Sequence, residues 1–407
     1  MSTFEILTPI HVGTGETIEP VCFQVNGSVA KRYSLADVVS SMSPERLCDP
    51  NLLLNLTNNK SKMDYYRIFK TDHIQGTPMY KVTWNIDLDV HQEVISVKSG
   101  GSQVIHEQIK SLGKPIIPGS TLKGAIECAF IYDFLKKNLN KVAMHIDDYA
   151  EQQKRSKSTP DVFYLMLVYG LDQNEIRHLK LNDFIKGLYG TLEVSDVEFK
   201  QLEVFYIDRH NIDPEKDVMD LGIAECISNG QFSQTSDFIS INQTKVKLLK
   251  DRYTGSIEKQ LIDAFCSQEN LVNAIHVYMK DMIECDSESG YQVLYEEVGD
   301  CQLQINRVNR MIRAAEKTKD TCVLRVGKYT NYFYKTVSWL FKNHFGAIYK
   351  YDFFELFSPL SKDNSNHNKR GSKNNNRSPK PDSMPRTIPL LTNGATTWPA
   401  GYLKVTL

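Results

Sequence analysis

The sequence has few of the patterns that mark metal sites or membrane spans. Its eight cysteines form no CxxC pair and its ten histidines form no HxxxH pair, so the spacings outline no zinc site. No apolar run approaches the roughly 18 residues of a membrane span, and the first residues lack a basic stretch followed by a long apolar one. We therefore predict a cytoplasmic protein that has buried free thiols, contacts no membrane and binds no metal or cofactor.

A nucleotide-binding P-loop is also missing, but one segment predicts a different anion site. P-loops carry lysine followed by Ser or Thr after GxxxxG, whereas KPIIPGSTLKG places its lysine after Ser-Thr-Leu. Gly119 would help to end the extended run, Ser120 would cap, and a helix would begin at Thr121. The first turn would then offer free N–H groups and Lys123 to a phosphate. A capped helix with a solvated lysine is the alternative.

Positive charge is concentrated in the C-terminal part of the sequence, although the whole chain has a net charge of −1. Residues 305–350 contain ten basic side chains and two acidic ones, and residues 361–386 contain seven basic and two acidic ones. The remainder of the chain is correspondingly acidic. Such clustering is typical of a surface that binds a polyanion.

A basic ridge is predicted on a helix over residues 301–317. The apolar residues of this helix recur at helical spacing, while Arg307, Arg310 and Arg313 step along another face. Nucleic-acid binding and a solvated face without a ligand both fit this arrangement. The ridge therefore supplies candidate binding residues without deciding their role.

Periodicity predicts a chain that mixes strands and helices. Strands are expected at 4–7, 79–88 and 197–208, and helices over 162–189, 257–284 and 301–317. Asn229 and Gly230 predict a type I′ turn that joins two strands as a hairpin. Residues 361–386 have almost nothing to bury, which predicts a disordered basic loop. The segment after this loop predicts a strand that returns to a sheet.

Five segments occur in an order that resembles a known family. They are TPIHVGTG at 8–15, PGSTLKG at 118–124, VSDVEF at 194–199, GIAECISNGQF at 222–232 and PAGYLKV at 399–405. Together they are similar to the motifs of the RAMP proteins of CRISPR effector complexes, over nearly the whole chain. Within that family, the order most resembles the branch that caps the 3′ end of crRNA in type III-A (Csm) complexes.

The resemblance implies an α+β fold with two ferredoxin-like (RRM-like) halves, at residues 1–195 and 196–407. The second half would contain a helical insertion at about 257–317 and the disordered basic loop at about 361–386. The resemblance also implies a noncatalytic protein that binds crRNA and the other subunits of the Csm complex, and that supports crRNA 3′ maturation in antiviral defence. Target RNA and host maturation nucleases are further candidate partners.

One motif departs from the family pattern. Relatives carry a glycine-rich RLGxGxGxxxKT loop, whereas this sequence keeps Gly327, Lys335 and Thr336 but loses two glycines. Tyr329 replaces one of them, and only with strain could it adopt the backbone conformation that glycine allows. Its ring could instead stack on a base.

The candidate RNA-binding residues share short motifs or basic charge. They are His11, Gly13, Gly119, Ser120, Thr121, Lys123, Arg307, Arg310, Arg313, Arg325, Gly327, Lys328, Tyr329, Lys335 and Thr336. No catalytic residue is predicted. The alternatives are a metal-independent CRISPR repeat endoribonuclease that uses His11 as its base, and a protein-interaction subunit whose basic regions face acidic neighbours.

Overall fold

The computed structural model describes most of the chain outside three long gaps. The described residues are 1–48, 50, 73–86, 105–153, 160–172, 174–175, 180–211, 219–236, 238–288, 291–330, 332–345, 387–394 and 396–407. The predicted disordered loop at 361–386 lies outside these residues. All structural statements below refer to the described part of the chain.

Strands and helices alternate irregularly along the described residues, which confirms the predicted α+β class. The strands are β1 (Ser2–Ile6), β2 (Gly13–Ile18), β3 (Phe23–Asn26), β4 (Val29–Arg32), β5 (Tyr80–Thr83), β6 (Ile105–Gln108), β7 (Lys110–Ser111), β8 (Lys114–Ile117), β9 (Leu192–Val194), β10 (Val197–Glu198), β11 (Leu202–Asn211), β12 (Met219–Ile227), β13 (Phe232–Thr235), β14 (Ile239–Ile241), β15 (Thr321–Arg325), β16 (Thr387–Asn393), β17 (Thr396–Pro399) and β18 (Tyr402–Thr406).

The helices are concentrated between β8 and β15, apart from short ones near each end. They are α1 (Leu35–Ser40), α2 (Pro44–Leu47), α3 (Gly119–Lys137), α4 (Leu139–Gln153), α5 (Pro160–Tyr169), α6 (Leu181–Gly190), α7 (Gln243–Arg252), α8 (Ser256–Phe265), α9 (Gln268–Glu288), α10 (Tyr291–Glu297), α11 (Cys301–Ala315) and α12 (Ser338–His344). Two 3-10 turns cover Pro20–Cys22 and Tyr332–Lys335. The helix expected at 301–317 is confirmed, whereas the range 257–284, expected as one long helix, is divided between α8 and α9.

A four-stranded antiparallel sheet joins the two ends of the sequence. Its order is β13, β1, β18, β15. β1 pairs with β18 so that Phe4 lies opposite Val405, and both side chains are buried. The sheet confirms the predicted first strand and the predicted return of the C-terminal segment to a sheet.

A larger sheet carries strands from both sides of the predicted boundary at residue 195. The order along it is β2, β6, β12, β11, β5, β4, β3, and β16 pairs with both β11 and β17. β6 and β12 run parallel, with Ile105 opposite Ile223. The two sides of the boundary are thus interleaved within one sheet, and the division into two ferredoxin-like halves stays a prediction.

The predicted hairpin around Asn229 and Gly230 is wrong. β12 pairs with β11 and β6, whereas β13 pairs with β1 in the other sheet. Gly230 does adopt the left-handed turn conformation, with φ of +77°. The turn therefore carries the chain from one sheet to the other. The reason is that β12 pairs with β11, and β13 pairs with β1, instead of β12 and β13 pairing with each other.

Two long helices form the layer behind the four-stranded sheet. α9 packs along α3 and against β15. The Tyr132 hydroxyl donates to the Asp281 carboxylate at 2.9 Å, and Lys136 makes an ion pair with the same carboxylate at 2.6 Å. These contacts fix the position of α3, which contributes to the groove described below.

A buried carboxylate ties several strands of the large sheet together. Glu225 has no exposed surface, and its two oxygens accept from Lys110 at 2.7 Å and from the Tyr80 hydroxyl at 2.8 Å. The backbone N–H of Gln108 donates to the same carboxylate at 3.3 Å. Burial raises the pKa of Glu225, while the nearby Lys110 ammonium acts in the opposite direction. The charge is therefore held inside the sheet by partners from β5, β6 and β7.

We expect Lys110→Met to destabilise the protein strongly, because it leaves the Glu225 carboxylate buried without its cation. Loss of one partner of such a pair costs about 3 kcal/mol of unfolding free energy or more. Lys114→Met is the matched control, since the ion pair of Lys114 with Glu198 is more than half exposed and should contribute less than about 1 kcal/mol. Urea denaturation of both variants measures the difference, and equal losses would contradict this account of Glu225.

Candidate nucleic-acid interface

A groove with a cavity volume of about 430 Å³ brings three of the sequence motifs together. The first loop, which runs from the end of β1 into the start of β2, contributes Val12, Gly13 and Gly15. The second wall is one face of α3, and the third is formed by Arg325 at the end of β15 and by residues of the segment after it: Val326, Gly327, Lys328, Thr330, Tyr334 and Lys335. These segments are far apart in sequence, so only the fold makes them neighbours.

A close backbone contact joins the first loop to the segment after β15. Lys328 N–H donates to the His11 carbonyl oxygen at 2.9 Å. Gly327 has φ of +105°, and a Cβ added there would lie 2.6 Å from the same oxygen. Any side chain at this position would push the two segments apart, because real Cβ atoms do not approach this closely. Gly327 is the glycine that the sequence retains from the family loop. The close contact with the His11 carbonyl oxygen explains why glycine is required at this position.

The C-terminal PAG motif supports the same junction. Gly401 N–H donates to the Pro9 carbonyl at 2.9 Å, and Val326 N–H donates to the Gly401 carbonyl at 2.8 Å. Gly401 has φ of +97°, a conformation that favours glycine. The first loop, the segment after β15 and the C-terminal motif are therefore fixed to one another by backbone hydrogen bonds.

The start of α3 differs from the sequence prediction. The helix begins at Gly119, and Ser120 is an exposed residue of its first turn and not the N-cap. Gly119 N–H donates to the Asp196 carboxylate at 2.7 Å. A Cβ on Gly119 would overlap the Val194 carbonyl oxygen, so this glycine is required by packing. The positive end of the helix is thus already occupied by a carboxylate of the protein itself.

Lys123 is also engaged within the fold. Its ammonium donates to the Leu192 carbonyl oxygen at 2.8 Å, and its side chain is partly buried. Lys123 is not among the residues that line the groove. Of the predicted residues at the start of α3, Thr121 lines the groove, whereas Gly119 and Lys123 contact Asp196 and Leu192, and RNA binding by these two stays a prediction.

The face of α3 that lines the groove is built from small residues. Thr121, Gly124, Ala125 and Cys128 lie there, at the spacing of successive helical turns. Of these, the sequence analysis named only Thr121. Residues three, four and seven positions after Thr121 lie on the same helical face, so this spacing would have identified Gly124, Ala125 and Cys128.

Two lysines place positive charge at the groove. Lys328 and Lys335 are exposed, and the Lys335 ammonium donates to the Lys328 carbonyl oxygen at 2.9 Å. Desolvation by the groove walls lowers the pKa of Lys335 to about 8, and the nearby charges of Arg325 and Lys328 act in the same direction. No ion pair with a carboxylate is seen for either lysine among the described residues. Their charge is therefore available to an anionic ligand.

Arg325 lines the groove but is almost entirely buried, with 3% of its surface exposed. Its Nε donates to the Ala400 carbonyl at 2.9 Å. The guanidinium lies 4.0 Å from the ring centre of Tyr334 and 4.6 Å from that of Tyr402. These rings stabilise the charge through cation–π contacts. Within the described chain its two terminal nitrogens have no hydrogen-bond partner.

His11 and Tyr329 lie in the interior of the fold, and their predicted RNA binding stays a prediction. His11 is 2% exposed and donates from Nδ1 to the Glu225 carbonyl at 2.7 Å. Burial lowers its pKa to about 4, although this hydrogen bond opposes the shift. Tyr329 is 6% exposed, and its ring stacks on His11 with centres 5.1 Å apart. Tyr329 therefore packs in the core and has little surface to offer a base.

The basic ridge is present but separate from the groove. Arg307, Arg310 and Arg313 are exposed on α11, opposite its buried apolar stripe. None of them lines the groove, and neither does the partly buried Thr336. The groove unites a subset of the predicted residues: Gly13, Thr121, Arg325, Gly327, Lys328 and Lys335. RNA binding by the remaining candidates stays a prediction.

Two features are absent from the described residues. No helix among them is both long and apolar enough to cross a bilayer. No three His, Cys, Asp or Glu side chains among them come close enough together to hold a metal ion.

Residues 3–394 match the family model of the RAMP superfamily, and the chain belongs to that superfamily. It is 24% identical over 415 residues to a Methanocaldococcus jannaschii protein described as CRISPR system Cms protein Csm5, with 99% of this chain and 88% of the relative covered. Its fold is similar to a chain in the structure of a type III-A Csm–crRNA–target RNA ternary complex, with a TM-score of 0.59 at 18% identity. It is also similar to T. onnurineus Csm5, with a TM-score of 0.50 at 18% identity. Both structural matches cover 100% of each chain.

The Asp196 cap of α3 can be tested by two substitutions. We expect Asp196→Ala to lower the free energy of unfolding by about 1 kcal/mol, because Gly119 N–H loses its partner and the helix end loses a negative charge. Ser120→Ala is the control and should leave stability nearly unchanged, since Ser120 makes no capping bond. Denaturant unfolding of the two variants distinguishes them. A greater loss in Ser120→Ala would restore the cap predicted from the sequence.

Proposed function

We propose that this protein is a noncatalytic crRNA-binding subunit of a type III-A Csm complex that caps the crRNA 3′ end and supports 3′ maturation and assembly. The convergence of the first loop, α3 and the segment after β15 in one groove carries the proposal. The names of the similar proteins support the type of complex. Target RNA and maturation nucleases remain predicted partners.

The chemistry of the groove suits a single-stranded RNA backbone. Gly15 has no atom within 4 Å of the position of a Cβ, so a ligand in the groove could approach the main chain closely there. Lys328 and Lys335 would meet phosphates, and the Thr121 hydroxyl could bond to a phosphate or a ribose. Because phosphate contacts do not depend on the base, such a groove can hold guides of many sequences.

The burial of His11 supports a structural role for it over the endoribonuclease alternative. A general base must come within hydrogen-bond reach of the proton it removes. His11 is 2% exposed, and its Nδ1 is committed to the Glu225 carbonyl. Its backbone carbonyl holds Lys328 in place. His11 would thus shape the RNA site from behind without contacting the RNA.

Alanine substitutions of the groove lysines should weaken RNA binding in a sequence-independent way. Lys328→Ala and Lys335→Ala should each reduce the slope of log affinity against log salt by about 0.7, because one phosphate contact is lost. Lys123→Ala is the informative comparison: the sequence predicted a loss of affinity, whereas the groove geometry predicts little change. Fluorescence anisotropy with single-stranded RNA at several salt concentrations measures all three. Binding that is insensitive to salt, or that is lost only in Lys123→Ala, would contradict the proposal.

Binding at the groove should also depend on pH through Lys335. In the free protein the Lys335 ammonium loses its proton as the pH rises through its pKa of about 8. A bound phosphate would raise this pKa and keep the Lys335 amine protonated. Affinity should therefore be full below about pH 7 and fall by up to about tenfold per pH unit above the free pKa. Lys335→Arg should remove this dependence, because a guanidinium stays protonated. Anisotropy titrations across this pH range provide the test, and an identical fall in Lys335→Arg would assign the effect elsewhere.

A further inference from the structure

The turn between β7 and β8 holds a leucine in a backbone conformation that leucine rarely adopts. Leu112 has φ of +49° and Gly113 has φ of +79°. These two residues, called the hairpin tip below, form a type I′ turn between the paired residues Ser111 and Lys114. Such turns strongly favour Asn, Asp or Gly at both positions. The left-handed conformation is costly for leucine, because its Cβ lies close to the following carbonyl oxygen.

The Leu112 side chain contributes no packing to the described fold. It is fully exposed, and no other large apolar residue in the described part of the chain is as exposed. Single exposed leucines are common on protein surfaces, but this one is exposed at a position where leucine also strains the backbone. Strain that the fold itself does not require is typical of a site where a second molecule binds.

The base of the hairpin is held firmly against the large sheet. Lys110 makes an ion pair with Glu225 at 2.7 Å, and its ammonium lies 4.2 Å from the centre of the Tyr80 ring. On the other strand of the hairpin, Ile117 is buried and pairs with Val197 of β10. The hairpin tip is therefore presented on a fixed support. Little conformational entropy would be lost when a partner binds it.

The charges around the hairpin tip favour a protein partner over a nucleic acid. Lys110, on one side of the tip, is paired with the buried carboxylate of Glu225. Lys114, on the other side, makes an ion pair with Glu198 at 2.6 Å. An RNA backbone is bound by cations that neutralise its phosphates, and both of these lysines already have carboxylate partners. A neutral leucine gains most by leaving water for an apolar socket, which a protein surface can provide.

We infer that the hairpin tip docks into an apolar socket on a neighbouring protein subunit of the complex, with Leu112 as the anchor. The inference rests on the proposed function, which makes this chain one subunit of a ribonucleoprotein complex. The hairpin also links two walls of the groove. Gln108, just before it, pairs with Gly13, and Thr121 lies in α3 just after it. A subunit seated on the tip would therefore lie beside the bound RNA strand.

The test compares two substitutions of Leu112 in the full-length protein. The remaining subunits of its Csm complex are assembled with crRNA in the absence of this chain, and biolayer interferometry measures the affinity of each variant for that assembly. Leu112→Asn should bind at least about tenfold more weakly, because burial of one leucine side chain contributes a factor of that size. Leu112→Met should retain most of the affinity, since methionine preserves the apolar contact at a similar volume.

Stability should change in the opposite direction to affinity. Leu112→Asn should raise the folding equilibrium constant about fivefold, because asparagine adopts the left-handed conformation more readily than leucine. Leu248→Asn is the matched control, since Leu248 is an exposed leucine within the helix α7. It should leave the affinity for the assembly unchanged and should not raise stability. Urea denaturation measures the stabilities, and damage to the fold could not explain a variant that is more stable yet assembles less well.

The outcomes separate this inference from the proposed function. Equal affinity of Leu112→Asn and the wild-type protein for the assembly would overturn the docking site and leave the proposed function intact. An equal loss of affinity for single-stranded RNA in Leu112→Asn, measured by fluorescence anisotropy, would also overturn it, because the tip would then contact RNA. Failure of the wild-type protein to bind either the assembly or RNA would contradict the proposed function itself.

Discussion

The approach of Gly327 to the His11 carbonyl is the contact on which the groove depends. It brings the segment after β15 against the first loop. Lys328 N–H donates to the His11 carbonyl oxygen, and there is no space for a Cβ at Gly327. The same first loop is held by Gly401 and by the His11 ring, which bonds to Glu225. Without this junction, Lys328 and Arg325 would not face α3. This contact, together with the backbone hydrogen bonds of Gly401, brings separate sequence motifs to one groove.

Some charged side chains are paired within the fold, whereas two lysines at the groove are not paired with a carboxylate among the described residues. Asp196 occupies the positive end of α3, and Glu225 is matched by Lys110. At the groove, Lys328 and Lys335 have no carboxylate partner among the described residues, whereas the charge of the buried Asp286 acts on Arg325. The electrostatic character of the site therefore comes from what the fold has not neutralised. Counting basic residues along the sequence could not distinguish these two groups.

Sequence reasoning recovered the fold class and the segments that form the groove, because those signals are local. Helical periodicity identified α9 and α11, and Gly327 indicated a place where backbone must approach backbone. The individual side chains were harder. Asp196 caps a helix 77 residues away in sequence. Tyr329 is buried by residues such as Ala400 that only the tertiary fold brings near it. Each wrong prediction concerned a residue or strand whose partner lies far away in sequence. The strands on either side of Gly230 are another example, because they pair with β11 and β1 and not with each other.

The pairing of β1 with β18 has a consequence for how the protein reaches its folded state. Thr3 lies opposite Thr406, so the central pair of the small sheet closes a loop of nearly the whole chain. Contacts of such separation form late and slowly, because most of the chain entropy must be lost before they contribute. During synthesis, β1 would remain without this partner until residues 402–406 had been made. A nascent or shortened chain would therefore have an unpaired strand edge, and the groove would be among the last parts of the molecule to form.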